Sequence, residues 1–190
     1  MTNILNTSIL LNTIKKMIKL KCKNELIHKT FNNLLDQKRI ILGNTNNENA
    51  SILQIEEYND KITLFFNKFK KNYFKPISLN ILMTDLIIEF SKINYEIGNT
   101  LFFPYLRKIC NNQKKIFLSD IQNIILFKLI EYPQGINKNK LYSLIWTQDK
   151  NVSINKLDTH LTNLKNLLSE KLNFEINFTS FEKNLQLIID

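Results

Sequence analysis

The stretch "NKLDTHLTNLKNLL", residues 155–168, places leucine at 157, 161, 164 and 168. Steps of four, three and four line one side of an α-helix. The opposite side carries Asn155, Lys156, Thr159, Thr162, Asn163 and Asn166, none of them acidic. Upstream, Tyr95 to Leu118 consists of short aromatic and β-branched runs broken at Gly98-Asn99, Pro104 and Asn111-Asn112. That pattern predicts a small antiparallel sheet with tight turns. "DIQNIILFKLIEY" then has helical spacing, with Ser119 as N-cap, Asp120 and Gln122 in the first turn, and Pro133 and Gly135 as the stop. Asn137 caps a short helix that closes at Trp146, and Ser153, after a polar loop, caps the long helix with the leucine seam. After Lys171, "FEINFTS" and "NLQLIID" alternate apolar and polar residues around Glu182-Lys183-Asn184, which predicts a hairpin. The expected order is sheet, three helices, hairpin.

Composition narrows the class. The 190 residues are 44% hydrophobic and 23% charged, enough to bury a core in one medium domain or two small ones. No apolar run reaches the ~18 residues of a membrane span, and lysines interrupt the amphipathic start "MTNILNTSILLNTIKKMIKL", which is expected to belong to the fold rather than to a signal peptide. Two distant cysteines, Cys22 and Cys110, suit free thiols in a cytoplasmic chain. His28 and His160 lack the neighbours of a metal site, so no metal or cofactor is expected. With three glycines there is no phosphate-binding loop, and no nucleophile motif appears, so an enzyme is not expected. Glu56-Glu57, the adjacent acidic pair, falls in a predicted helix where neighbours do not face each other, which suits a solvated surface.

The net charge of +9 invites a nucleic-acid partner. Lysine, asparagine and isoleucine also accumulate when coding DNA is rich in A and T, whatever the function. Residues 95–190 hold 12 basic and 9 acidic side chains, only +3 of the total.

The ordered elements of the second half carry a resemblance. Leu118-Ser119, Pro133-x-Gly135, Trp146 and Leu157-Asp158-x-His160-Leu161 occupy the places of the Leu-Thr, Pro-Gly, Trp and Val-Asp-x-His-Ile signatures of the OmpR/PhoB-type response regulators. The chain resembles that family's winged helix-turn-helix over about half its length. The resemblance implies an α+β winged-helix DNA-binding domain at 95–190 and, at 1–94, a degenerate α/β receiver-like, flavodoxin-like domain of phosphorelay signal transduction. In that arrangement "TNIL" is a strand, "SILLNTIKKMIKL" a helix, "HKTFNNLLDQ" a second helix and "RIILG" a strand. "NASILQIEEYN" is a further helix, "KITLFF" and "NYFKP" are strands, and "SLNILMTDLIIEFSKI" is the final helix. Lys75-Pro76 matches the family's Lys-Pro pair. The carboxylates of receiver chemistry are missing: Asn6 and Thr7, Gly43 and Asn44, and Phe66 and Asn67 stand in their places. An amide cannot form an acyl phosphate, so aspartyl phosphorylation is not expected.

The resemblance implies double-stranded DNA as partner, with the third helix in the major groove. Asn155, Lys156, Thr159, Asn163 and Asn166 are the expected base-facing residues, and Lys150, Lys165 and Lys183 the expected phosphate contacts. The family's third-helix arginine is replaced by Asn163, and Glu182-Lys183-Asn184 replaces the wing glycines. The first domain would dimerise or dock a partner protein through its final helix, apolar on more than one side. The alternative is a winged-helix interaction module that no longer binds DNA, favoured by the near-neutral second half and the acidic wing.

Overall fold

The computed structural model describes residues 18–37, 40, 42, 51–146, 154–181 and 183–189. These divide into two units, residues 18–93 and residues 94–189. The first contains β1 (Ile18–Cys22), α1 (Glu25–Gln37), β2 (Ser51–Glu57), β3 (Lys61–Phe66), β4 (Phe69–Phe74) and α2 (Leu79–Ser91). The sheet order is β1-β2-β3-β4. β1 pairs with β2 in parallel, whereas β2–β3 and β3–β4 are antiparallel.

Alternation along the strands sorts the side chains between two faces. Ile18, Leu53, Ile55, Ile62, Leu64, Phe66 and Tyr73 are buried on one of them. α2 covers this face: the Phe66 and Phe90 rings meet edge to face at 5.1 Å, and Lys71 Nζ and Tyr73 OH donate to Asp85 at 2.7 and 2.8 Å. α1 starts at Asn24, whose Oδ1 accepts from the Leu26 and Ile27 amides. It buries Phe31 and Leu35.

This arrangement corrects the receiver-like expectation for the first half. A flavodoxin-like sheet is parallel, and each parallel connection needs a dozen or more residues. Only residues 58–60 join β2 to β3, and only Asn67 and Lys68 join β3 to β4, so both pairs are hairpins. Within "NASILQIEEYN", expected as a helix, Ser51–Glu57 is strand β2, because Leu53 and Ile55 alternate with Gln54 and Glu56 and fill the core as a strand. Ile18, Lys19 and Leu20, expected at the end of a helix, form the start of β1. "HKTFNNLLDQ", "KITLFF", "NYFKP" and "SLNILMTDLIIEF" fall where helix, strand, strand and helix were expected. "TNIL" and most of "RIILG", with Asn6, Thr7, Gly43 and Asn44, lie outside the described residues. Lys75 Nζ donates to Glu57 Oε1 at 2.9 Å, and Asn24 Nδ2 donates to Glu57 Oε2 at 2.7 Å. Glu56 and Glu57 thus point to opposite faces of a strand, not along a helix. Glu56 accepts from Gln54 Nε2 and Tyr58 OH.

The second unit opens with β5 (Tyr95–Ile97), β6 (Thr100–Phe103), β7 (Lys108–Cys110) and β8 (Lys115–Phe117), an antiparallel sheet in chain order. Gly98, at φ +57°, turns the first hairpin, where a Cβ would lie 2.9 Å from the Phe174 ring. α3 (Asp120–Glu131) starts with a reciprocal box: Gln122 N donates to Ser119 Oγ, and Ser119 N to Gln122 Oε1. Gly135 then takes φ +100°, leading into β9 (Ile136–Asn137). Asn137 caps α4 (Lys138–Ile145) by accepting from the Asn139 and Lys140 amides. α5 (Ile154–Leu172) follows, then the hairpin β10 (Ile176–Phe181) and β11 (Asn184–Ile189), with β9 added to give the order β10-β11-β9. Sheet, three helices and hairpin occur in the expected order, which is a winged helix-turn-helix. Ser153, the expected cap of α5, lies outside the described residues.

α3 is the centre of this unit. Ile125, Leu126, Phe127, Leu129 and Ile130 are all buried, and Phe127 meets Tyr95 edge to face at 5.8 Å. Leu157, Leu164 and Leu168 of α5 are fully buried. Leu164→Ala should therefore cost about 2–5 kcal/mol. Urea unfolding followed by the fluorescence of Trp146, the single tryptophan, measures it, and a loss below about 1 kcal/mol would contradict this core assignment.

In the first unit, the hydrogen bonds from Lys71 and then Tyr73 hold the Asp85 carboxyl below the ordinary aspartate range. A depressed folded pKa contributes stability above the unfolded value, and that contribution is lost as pH falls through the folded one. Asp85→Asn should flatten the acid limb of unfolding, followed by circular dichroism below about pH 4. An unchanged acid limb would refute the role.

A candidate nucleic-acid interface

The leucine seam fixes how α5 is turned. With Leu157, Leu161, Leu164, Leu168 and Leu172 buried, the opposite surface must face outward. Asn155, Lys156, Thr159, Thr162, Asn163 and Asn166 are all exposed. The two threonine hydroxyls are folded back onto the helix: Thr159 Oγ1 donates to Asn155 O at 2.9 Å and Thr162 Oγ1 to Asp158 O at 3.0 Å. Such back-bonding occupies the hydroxyl proton and leaves the methyl group as the outward feature. Asn155, Thr159, Asn163 and Asn166 form one stripe, and the first carboxylate along it is Glu170, a further turn on.

The start of α5 is braced by an aromatic stack. Trp146 follows α4, with Tyr142 at 4.5 Å and His160 at 5.7 Å between ring centroids. Lys156 Nζ lies 4.5 Å from the Trp146 ring centroid, a cation–π contact that holds the ammonium at the edge of the helix. Trp146 is half-buried, because it closes α4 at the rim and covers the flank of α5. His160 packs beside it.

The expected phosphate contacts divide. Lys183 is exposed in the hairpin turn at φ +66°. Lys165 is half-buried and donates to Asn177 Oδ1 on β10 at 2.5 Å, so it ties α5 to the hairpin. Lys150 lies outside the described residues.

Sequence reasoning missed Lys138. The Asn137 cap places it at the first position of α4, and its Nζ reaches Asp158 Oδ1 on α5 at 2.9 Å. Its backbone amide donates to Lys183 O in the hairpin turn at 3.1 Å. One residue thus joins α4, α5 and the hairpin tip, and it balances a carboxylate on the α5 flank. The pair spans 20 residues, beyond the reach of any helical period. Lys138, Asp158, Thr162, Lys165, Asn177 and Ser180 line a shallow groove of about 560 Å³ between α5 and the hairpin. Among the described residues no group of His, Cys, Asp and Glu could hold a metal ion.

No protein family matches the chain by sequence, and no curated protein matches it either. Solved structures similar over half the chain include the following two. One is the DNA-binding domain of E. coli CadC, at 14% identity and a TM-score of 0.42, covering 50% of this chain and 91% of that one. The other is the C-terminal domain of the nisin resistance regulator NsrR, a lantibiotic response regulator, at 19% identity and a TM-score of 0.38. It covers 50% of this chain and 93% of that one.

Proposed function

We propose that residues 95–190 bind double-stranded DNA with α5 in the major groove, and that the chain is a DNA-binding transcription regulator. One observation carries the reading: in a winged helix-turn-helix, the outward stripe of the third helix is amide-rich and free of carboxylates from Asn155 to Asn166. That stripe spans about 16 Å at the helical rise, enough to follow several base steps. Asparagine can bond adenine N6 and N7 together, and a threonine methyl can touch the thymine methyl. Because both threonine hydroxyls bond within the helix, the surface offers amides and methyls, a combination suited to A·T pairs. Lys183 and Lys150 would meet phosphates and Lys156 a guanine or a phosphate, with Lys165 and Lys138 in the groove beside the hairpin. The Lys138–Asp158 pair keeps the flanking carboxylate from repelling the backbone.

Residues 1–94 form the partner domain in this reading. It works in the cytoplasm and without aspartyl phosphorylation. Glu56, Glu57 and Asp85 each already accept hydrogen bonds from neighbouring side chains. The domain would join a second copy or a protein partner through α2, where Ile81 and Ile88 are exposed one above the other.

Fluorescence anisotropy with A/T-rich duplexes tests the reading. Asn163→Ala should weaken binding by about 1–3 kcal/mol without changing its salt dependence. Lys183→Ala should weaken it on every sequence and lower the slope of log K against log salt by about 0.9. No binding at low salt would refute DNA as the ligand. Capture of a protein partner that tolerates salt would then assign the face to an interaction module.

A further inference from the structure

The sheet of residues 18–93 has a second face, opposite the one that packs on α2. The strand register assigns its rows. Lys21, Gln54, Phe65 and Lys70 cross all four strands in one row. Glu56, Thr63 and Asn72 form the next, and Lys61 and Phe74 the one after. Lys19 and Ile52 complete the far side. Tyr58 joins from the β2–β3 turn, since its hydroxyl donates to Glu56 Oε2 at 2.7 Å.

This face is open around a buried Thr63 and a half-buried Phe65. Phe74 is 65% exposed, Tyr58 47% and Ile52 46%, and Lys21, Lys70 and Asn72 are exposed as well. Exposed large apolar side chains grouped on one surface mark a binding surface rather than chance. The charge indicates of what kind: among the described residues of these rows, Lys19, Lys21, Lys61 and Lys70 stand against one carboxylate, Glu56. Cations and rings are interleaved at close range, with Lys70 Nζ 5.2 Å from the Phe65 ring centroid and Lys61 Nζ 5.5 Å from that of Tyr58.

We propose that this face binds single-stranded nucleic acid, with unpaired bases stacked on Phe74, Phe65 and Tyr58 and phosphates held by Lys21, Lys61 and Lys70. Phe65 and Phe74 lie on adjacent strands four residues apart in register, roughly 13 Å along the sheet, so each can carry its own base. A polyanion satisfies the lysines, and a π-face satisfies the rings. Single-stranded nucleic acid offers both, whereas a duplex hides its base faces in the stack. Gln54 and Asn72 add amides within the rows for base edges or a ribose hydroxyl. The surface is built from residues other than those of the α5 stripe and requires no duplex to be bound there.

The test uses the full chain and short fluorescent homopolymers of deoxythymidine and of uridine, read by anisotropy. Both should bind in a salt-dependent way if the backbone is shared chemistry, and a preference for uridine would assign RNA. Phe74→Ala should weaken binding roughly 5- to 150-fold, the loss of one stacked base. Lys70→Glu should weaken it and lower the salt slope. Both positions are exposed, and circular dichroism checks that the variants fold. Asn155→Ala combined with Lys156→Ala should leave this binding unchanged. Absence of binding at low salt would overturn the proposal. So would wild-type affinity in both sheet variants, or a loss found in the α5 variant instead.

Discussion

The orientation of one helix decides what the second unit can do. α5 has a single way to bury five leucines against the rest of its unit, and that choice turns every asparagine of its first four turns outward. Rotating the helix by one residue, about 100°, would expose the seam and bury amides without partners. The seam is worth several kcal/mol per leucine when truncated. No polar contact on the outer face competes with that, so the amide stripe is held by packing on the other side of the helix. The surface is thus prepared before any ligand arrives.

Polar contacts refine what packing establishes. Lys138 engages Asp158 through its ammonium and Lys183 through its amide, and Lys165 engages Asn177. Together they set the hairpin against the flank of α5. These pairs are partly exposed, so their worth lies in alignment more than in stability. The first unit divides its work in the same manner. Tyr73 and Lys71 converge on Asp85 over the covered face of the sheet, while the opposite face keeps rings and ammonium groups at the surface.

The second half was legible because its signals are local. Ser119 and Gln122 cap α3 within four residues, Asn137 caps α4 within three, and Gly135 marks a turn that demands positive φ. The leucine period of α5 needs no knowledge of its partners. The first half was not legible in the same way. "SILQIEE" is short, and only pairing with β1 and β3 makes it a strand. The two tight connections that exclude a parallel sheet carry no Asn-Gly signature, so the hairpins arise from cross-strand packing rather than from turn chemistry. The rows of the exposed face exist only once register is known. Lys138 was invisible for the same reason, since its partner lies 20 residues on, in the next helix.

NMR of the asparagine side-chain amides during titration with an A/T-rich duplex tests the central claim most directly. The account predicts that the Asn155, Asn163 and Asn166 NH2 signals shift together and become protected from solvent exchange as the complex forms. If those signals stay at their free positions while the duplex binds elsewhere on the chain, the outward stripe of α5 is not the surface that reads DNA.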